Sequence, residues 1–139
     1  MKSGAKVFIK NEALGKYLFL LRDNKPDIPG PNCWSLVGGG IEENEAPAEA
    51  VEREVSEEIN IPIFDLQLIH QMSTQDNVGG KAIEVYRYIF SAKTNALLDE
   101  VVLTEGQKAS FFTLEEIVND EKVCPGLKKL ILNNRNIID

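Results

Sequence analysis

Three glutamates, Glu54, Glu57 and Glu58, stand at positions i, i+3 and i+4 of a segment in which Ala48, Val51, Val55 and Ile59 recur at spacings of three and four. On an α-helix this spacing puts the carboxylates on one strip beside the apolar stripe. Three like charges so placed repel one another. A divalent cation that takes hard oxygen ligands, magnesium or manganese, removes the repulsion. A solvated, glutamate-rich helix face is the alternative that needs no chemistry. Just upstream, Gly38, Gly39 and Gly40 form a run in which backbone can approach a metal ion or a phosphate with no side chain in the way.

The stretch from 38 to 61 holds eight glutamates and one arginine, in a chain of 139 residues whose formal net charge is −7. Its periodicity predicts a helix from Glu45 to Ile59, with Pro47 in the first turn, where the missing N–H costs nothing. Asn60 follows the last periodic residue, and asparagine readily takes the left-handed conformation that closes a helix. Residues 5–10 and 17–22 read as a hairpin around Gly15, and "DNKPDIPGPN" at 23–32 as a loop. "CWSLV" reads as a short strand ending at the glycines. Residues 63–74 and 81–93 alternate as long strands joined by "QDNVGG". A Thr-x-x-Glu capping box at Thr113 and Glu116 opens a short helix, and a last helix turns Leu127, Leu130 and Ile131 inward. The whole reads as a single α/β domain, 1–139, with a mixed β-sheet between helices.

The negative charge and the lack of a Lys/Arg cluster argue against a nucleic-acid polymer or an anionic membrane as partner. The N-terminus offers neither a signal-peptide core nor a span of about 20 apolar residues, so a cytoplasmic location is expected. Cys33 and Cys124, 91 positions apart and without a CxxC, read as reduced structural thiols. No Ser/His/Asp or Cys/His arrangement stands out. His70, in an alternating strand, reads as a packed or surface residue, and Trp34, Phe111, Phe112, Tyr86 and Tyr88 as core or sheet surface.

Written out, the acidic stretch is Gly39, five residues, Glu45, seven residues, then Arg53-Glu54-Val55-Ser56-Glu57-Glu58-Ile59-Asn60-Ile61. It resembles the signature of the Nudix hydrolases, G-x5-E-x7-R-E-U-x-E-E-x-G-U, where U is a bulky aliphatic residue. It departs at Asn60, where the family has its last glycine. The resemblance covers 23 of 139 residues and implies the family's α/β/α sandwich.

It also implies that Glu54, Glu57 and Glu58 bind catalytic Mg2+ or Mn2+, joined by the carbonyl of Gly38. Arg53 and Glu45 resemble an internal ion pair holding the loop on the helix; Glu57 is the other partner open to Arg53, at i+4. In "TEGQ" at 104–107, Glu105 is similar to a family glutamate that serves as a further metal ligand or general base. Arg22 matches an arginine that touches substrate phosphate, and Gly39 and Gly40 line the same approach. The implied reaction is hydrolysis of a nucleoside diphosphate linked to X, with Glu54 or Glu105 taking the proton of the attacking water and Arg53 within the catalytic set. The substrate expected first is a (d)NTP, cleaved to monophosphate and pyrophosphate. A sugar nucleotide or dinucleoside polyphosphate, and a non-catalytic nucleotide-binding module, are the other readings. A homodimer is common in the family.

Overall fold

The computed structural model describes residues 2–28 and 30–139. Its strands are β1 (Lys2–Asn11), β2 (Lys16–Leu21), β3 (Trp34–Ser35), β4 (Val37–Gly40), β5 (Phe64–Val78), β6 (Lys81–Lys93) and β7 (Lys108–Phe112). The helices are α1 (Pro47–Glu58), α2 (Leu114–Val118) and α3 (Pro125–Ile138), with one 3-10 turn at Leu98–Glu100.

All seven strands form one mixed sheet in the order β3-β2-β1-β6-β5, with β4 paired to β1 and β7 to β2. β1 and β6 run parallel, Gly4 opposite Arg87 and Lys6 opposite Ile89. On its other edge β1 serves two partners in turn: Gly4–Val7 pair with β4, and Ile9–Asn11 with β2. Alternation along β1 sends Ala5, Val7 and Ile9 into a core shared with Val51, Val55 and Ile59 of α1. Phe8 goes the other way, into a core with Phe19, Trp34, Ile117, Leu127 and Ile131 under α2 and α3. The sheet is thus covered by α1 on one face and by α2 and α3 on the other, an α/β/α sandwich.

The structure shifts several boundaries. "CWSLV" is interrupted at Leu36, and the strand does not stop short of the glycines: Gly38, Gly39 and Gly40 belong to β4 and pair with Lys6, Ala5 and Gly4. β5 extends to Val78, so the β5–β6 connection shrinks to Gly79 and Gly80, both at positive φ as a tight hairpin requires. α1 starts at Pro47 and ends at Glu58. Asn60 has φ +46, and its N–H donates to the Val55 carbonyl at 2.8 Å, closing the helix in the left-handed conformation. Thr113 and Glu116 make both hydrogen bonds of the capping box of α2.

The two cysteines correct the reading of reduced thiols: Cys33 and Cys124 form a disulfide, with Cα atoms 4.9 Å apart. The pairing follows from a backbone crossing. Trp34 N–H donates to Lys122 O at 2.8 Å, and Cys124 N–H donates to Trp34 O at 3.0 Å. That bridge lays the start of β3 beside the N-terminus of α3, a contact that no local spacing announces.

Candidate active site

β4 is the floor on which the site is built. Gly38 lies at φ +142, where a Cβ would sit 2.1 Å from the Ala5 carbonyl oxygen, so only glycine allows β4 this close to β1. At Gly39 a Cβ would fall 2.6 Å from Glu54 Oε1. The bare backbone there leaves a space that the Glu54 carboxylate fills from α1.

Glu58 approaches the same turn from the next helical turn. It is buried, 8% exposed, and its Oε1 accepts the Gly38 N–H at 3.0 Å. Burial pushes its carboxyl up to about 7, against the pull of the Lys6 ammonium and the Gly38 N–H; Glu54 and Glu105 add to the rise. Lys6 of β1 donates to the Gly38 carbonyl at 3.4 Å. Burial, then the neighbouring Arg87 and Arg22, lowers that ammonium to about 8.

Arg53 is the hub of the outer half. Its Nε and Nη2 bond both oxygens of Glu45, at 2.8 and 3.1 Å, and Nη2 also donates to the Gly40 carbonyl at 2.9 Å. Nη1 donates to Glu54 at 3.0 Å and to Glu57 at 3.4 Å. Both partners considered for Arg53 are therefore engaged, Glu45 by the forked pair and Glu57 by a longer bond at an exposed side chain. Glu45 in turn accepts the Glu42 N–H at 2.9 Å, which fixes the loop between β4 and α1, and Arg53 holds its carboxyl below the usual range. Glu49 accepts the Ala46 N–H at 2.9 Å and so satisfies one free donor at the start of α1.

Glu105 is exposed on the loop before β7. That loop docks on the end of α1: Thr104 Oγ1 donates to Glu57 O at 2.6 Å, and Thr104 N–H to Glu58 O at 3.1 Å. Gln107 completes the docking through the Arg22 carbonyl at 2.9 Å and Asn32 at 2.8 Å. Arg22, at the end of β2, has a buried Nε with no hydrogen-bond partner among the described residues.

As the side chains stand, no three His, Cys, Asp or Glu groups among the described residues lie close enough to share one ion. Glu54 and Glu57 are turned to Arg53, and Glu58 to the Gly38 N–H. The donors nonetheless fit magnesium or manganese in kind, being carboxylates and a peptide carbonyl gathered around one glycine turn. Glu58, kept partly protonated by burial, is a group that a nearby dication would ionise.

Sequence reasoning missed Lys6 and Arg87. Arg87, on β6, donates from Nε to Thr74 Oγ1 at 3.0 Å and from Nη2 to Asp76. The one available signal was a charged residue at an otherwise apolar position, Lys6 in "AKVFI" and Arg87 in "VYRYI". His70 and the Tyr86–Tyr88 pair take no part. Trp34 and Phe112 meet edge-on at 4.9 Å inside the second core.

The fold and the acidic helix define a class: an α/β/α sandwich with a carboxylate strip folded against a glycine strand. The NUDIX domain family profile matches residues 2–133, and the chain belongs to that family. An RNA pyrophosphohydrolase of Hahella chejuensis is 26% identical over 95 residues, which span 68% of this chain and 52% of that protein, about half its length. The MutT protein of Methanosarcina mazei Go1 superposes with a TM-score of 0.75 at 24% identity, over 95% of this chain and 91% of its own. The E. coli dihydroneopterin triphosphate pyrophosphohydrolase superposes at 0.67 with 18% identity, over 94% and 95%. At these identities the structural likeness speaks for the fold.

Proposed function

We propose that the protein is a divalent-metal-dependent pyrophosphohydrolase that cleaves a (d)NTP to the monophosphate and pyrophosphate. The observation that carries this reading is the convergence of Glu54 and Glu58 on the Gly38–Gly39 backbone, with Lys6 beside them. The cation would be held by Glu54, Glu57, Glu58 and the Gly38 carbonyl, with Glu105 within reach of the same charge cluster. When bound, it supplies charge neutralisation at phosphate oxygens and a more acidic water.

The chain's own groups do the rest. Arg53 holds the β4–α1 loop through Glu45 and the Gly40 carbonyl, which fixes the distance between the glycine floor and the carboxylates. Glu54 or Glu105 takes a proton from the attacking water; both are carboxylates beside the buried Glu58. Arg22 and Lys6 offer donors to phosphate oxygens, which accounts for an acidic protein binding an anionic substrate. Among the described residues no helix is long and apolar enough to cross a membrane, and a nucleotide in solution suits that. We keep the cytoplasmic location and a homodimer as part of the proposal.

A second reading has its own observation. The curated relative is an RNA pyrophosphohydrolase, so the 5′ end of an RNA is a candidate despite the net charge of −7. The test is a panel of (d)NTPs, sugar nucleotides, dinucleoside polyphosphates and a 5′-triphosphorylated oligonucleotide, each with magnesium, read by phosphate and pyrophosphate release. Pyrophosphate from (d)NTPs supports the first reading and preferential release from the oligonucleotide the second. No release from any substrate overturns both in favour of a binding module.

A further inference from the structure

Arg87 is held in a way that an ordinary cross-strand ion pair does not need. Thr74 takes its Nε and Asp76 its Nη2, which leaves Nη1 as the guanidinium end without a partner among the described residues. That end lies over Gly4 of β1, where a Cβ would stand 3.7 Å from Nη1 and 3.2 Å from the Gly39 carbonyl oxygen. The missing side chain at Gly4 thus opens a path between Arg87 and the glycine floor of the site. Lys6, two residues on and on the same side of β1 by alternation, reaches the Gly38 carbonyl.

Arg87 and Lys6 therefore lie on one side of β1 beside the glycine floor, away from the carboxylates of α1, in a chain of net charge −7. Asp76 balances the charge of Arg87 but leaves its Nη1 without an acceptor among the described residues, and the hydrogen bond that Lys6 makes there goes to a peptide carbonyl. Concentrating like charge in a partly desolvated place is unfavourable unless an anion completes it. A guanidinium pinned at two nitrogens with its third free loses little entropy on binding a phosphate oxygen.

We infer that Arg87, with Lys6, forms a phosphate subsite beyond the carboxylate strip that selects substrates carrying three or more consecutive phosphates over those carrying two. The inference rests on the pyrophosphohydrolase reading for its substrate. Its geometry stands apart from turnover. A cation held by the carboxylates would neutralise the nearer phosphates, and the Arg87 side takes the phosphate that extends past Gly39.

The test is isothermal titration calorimetry of the full chain with inorganic tripolyphosphate and with pyrophosphate, in EDTA so that no metal contributes. The wild type is expected to bind tripolyphosphate more tightly than pyrophosphate. Arg87→Leu is expected to weaken tripolyphosphate by at least about tenfold, and Arg87→Lys to recover part of the loss. Should Arg87→Leu fail to fold, Lys6→Met carries the same expectation. In nucleotide kinetics Arg87→Leu is expected to raise KM at least about tenfold for a triphosphate while kcat changes less than about threefold. A purely structural Arg87–Asp76 pair would lower the melting temperature of Arg87→Leu and leave tripolyphosphate affinity as it was. That result, or equal affinity of the wild type for the two probes, overturns the subsite. Tripolyphosphate binding by a wild type that cleaves no nucleotide overturns the function reading and leaves the subsite standing.

Discussion

Glu58 and Lys6 meet across one peptide: the Glu58 carboxylate accepts the Gly38 N–H at 3.0 Å, and the Lys6 ammonium donates to the Gly38 carbonyl at 3.4 Å. Opposite charges thus bracket the backbone that a cation or phosphate would approach. Burial disfavours the charged form of each, the acid pushed up to about 7 and the base down to about 8. The arrangement stores unfavourable charge at the place where ligands bring compensation.

That storage has a pH signature. The folded value of Glu58, about 7, lies above its ordinary 4.5, so its contribution to stability is fully present below 4.5 and is lost as pH rises through 7. Glu58→Gln removes the loss. In urea unfolding with EDTA, the stability of Glu58→Gln relative to the wild type is expected to rise between pH 4.5 and 7, by on the order of 1–3 kcal/mol, and then level off. A difference that stays flat across that range would contradict the burial of an ionisable Glu58.

The three glutamates of the strip are expected to differ. Glu57→Gln removes charge from an exposed side chain bonded to Arg53, so turnover with magnesium should fall at least about a hundredfold with the fold intact. Glu58→Gln, at the glycine floor, should cost more than that. Circular dichroism with kcat on the same preparations checks both, and near-normal turnover of Glu57→Gln would remove it from the metal site.

Neighbouring glycines separate fold from function. Gly38→Ala puts a Cβ against the Ala5 carbonyl at a positive φ, so the β1–β4 pairing breaks and soluble protein should be lost. Gly39→Ala meets only the movable end of Glu54. It should keep its melting temperature within a few degrees and lose turnover by roughly tenfold or more, as the carboxylate is pushed aside. Equal stability of the two variants would mean that β4 is not seated as described.

Arg53→Lys keeps the charge and loses the fork that holds Glu45 and the Gly40 carbonyl together. Turnover should drop by about ten- to a hundredfold, with KM for the nucleotide changed less. A variant with unaltered kcat would show that the loop needs no such clamp.

Much of this was legible along the chain because it is local. Ala48, Val51, Val55 and Ile59 repeat with the period of a helix, and Asn60 sits where a left-handed closure is needed. Gly79 and Gly80 mark a hairpin turn, and Thr113 with Glu116 a cap. Sharing of the β1 edge by β4 and β2, and the parallel pairing of β1 with β6, depend on residues far apart in sequence, so no periodicity signals them. Lys6 and Arg87 escaped for the same reason: each is one charged residue in an apolar strand, and only the parallel register that sets Gly4 opposite Arg87 brings them to one place. Cys33 and Cys124 became partners through the crossing of Trp34 with Val123, which is invisible without the fold.

The Cys33–Cys124 bond closes a covalent ring around β3, β4, α1, β5, β6, β7 and α2, so every glutamate assigned to the cation lies inside it, while Lys6 and Arg22 lie outside. In the chain-entropy account, closing a ring of roughly this size restricts the unfolded ensemble by about 4 to 5 kcal/mol. A backbone cut anywhere between those two residues, at the Gly79–Gly80 turn for instance, leaves the pieces joined, and the acidic helix stays tethered to the strand that carries its basic counterpart.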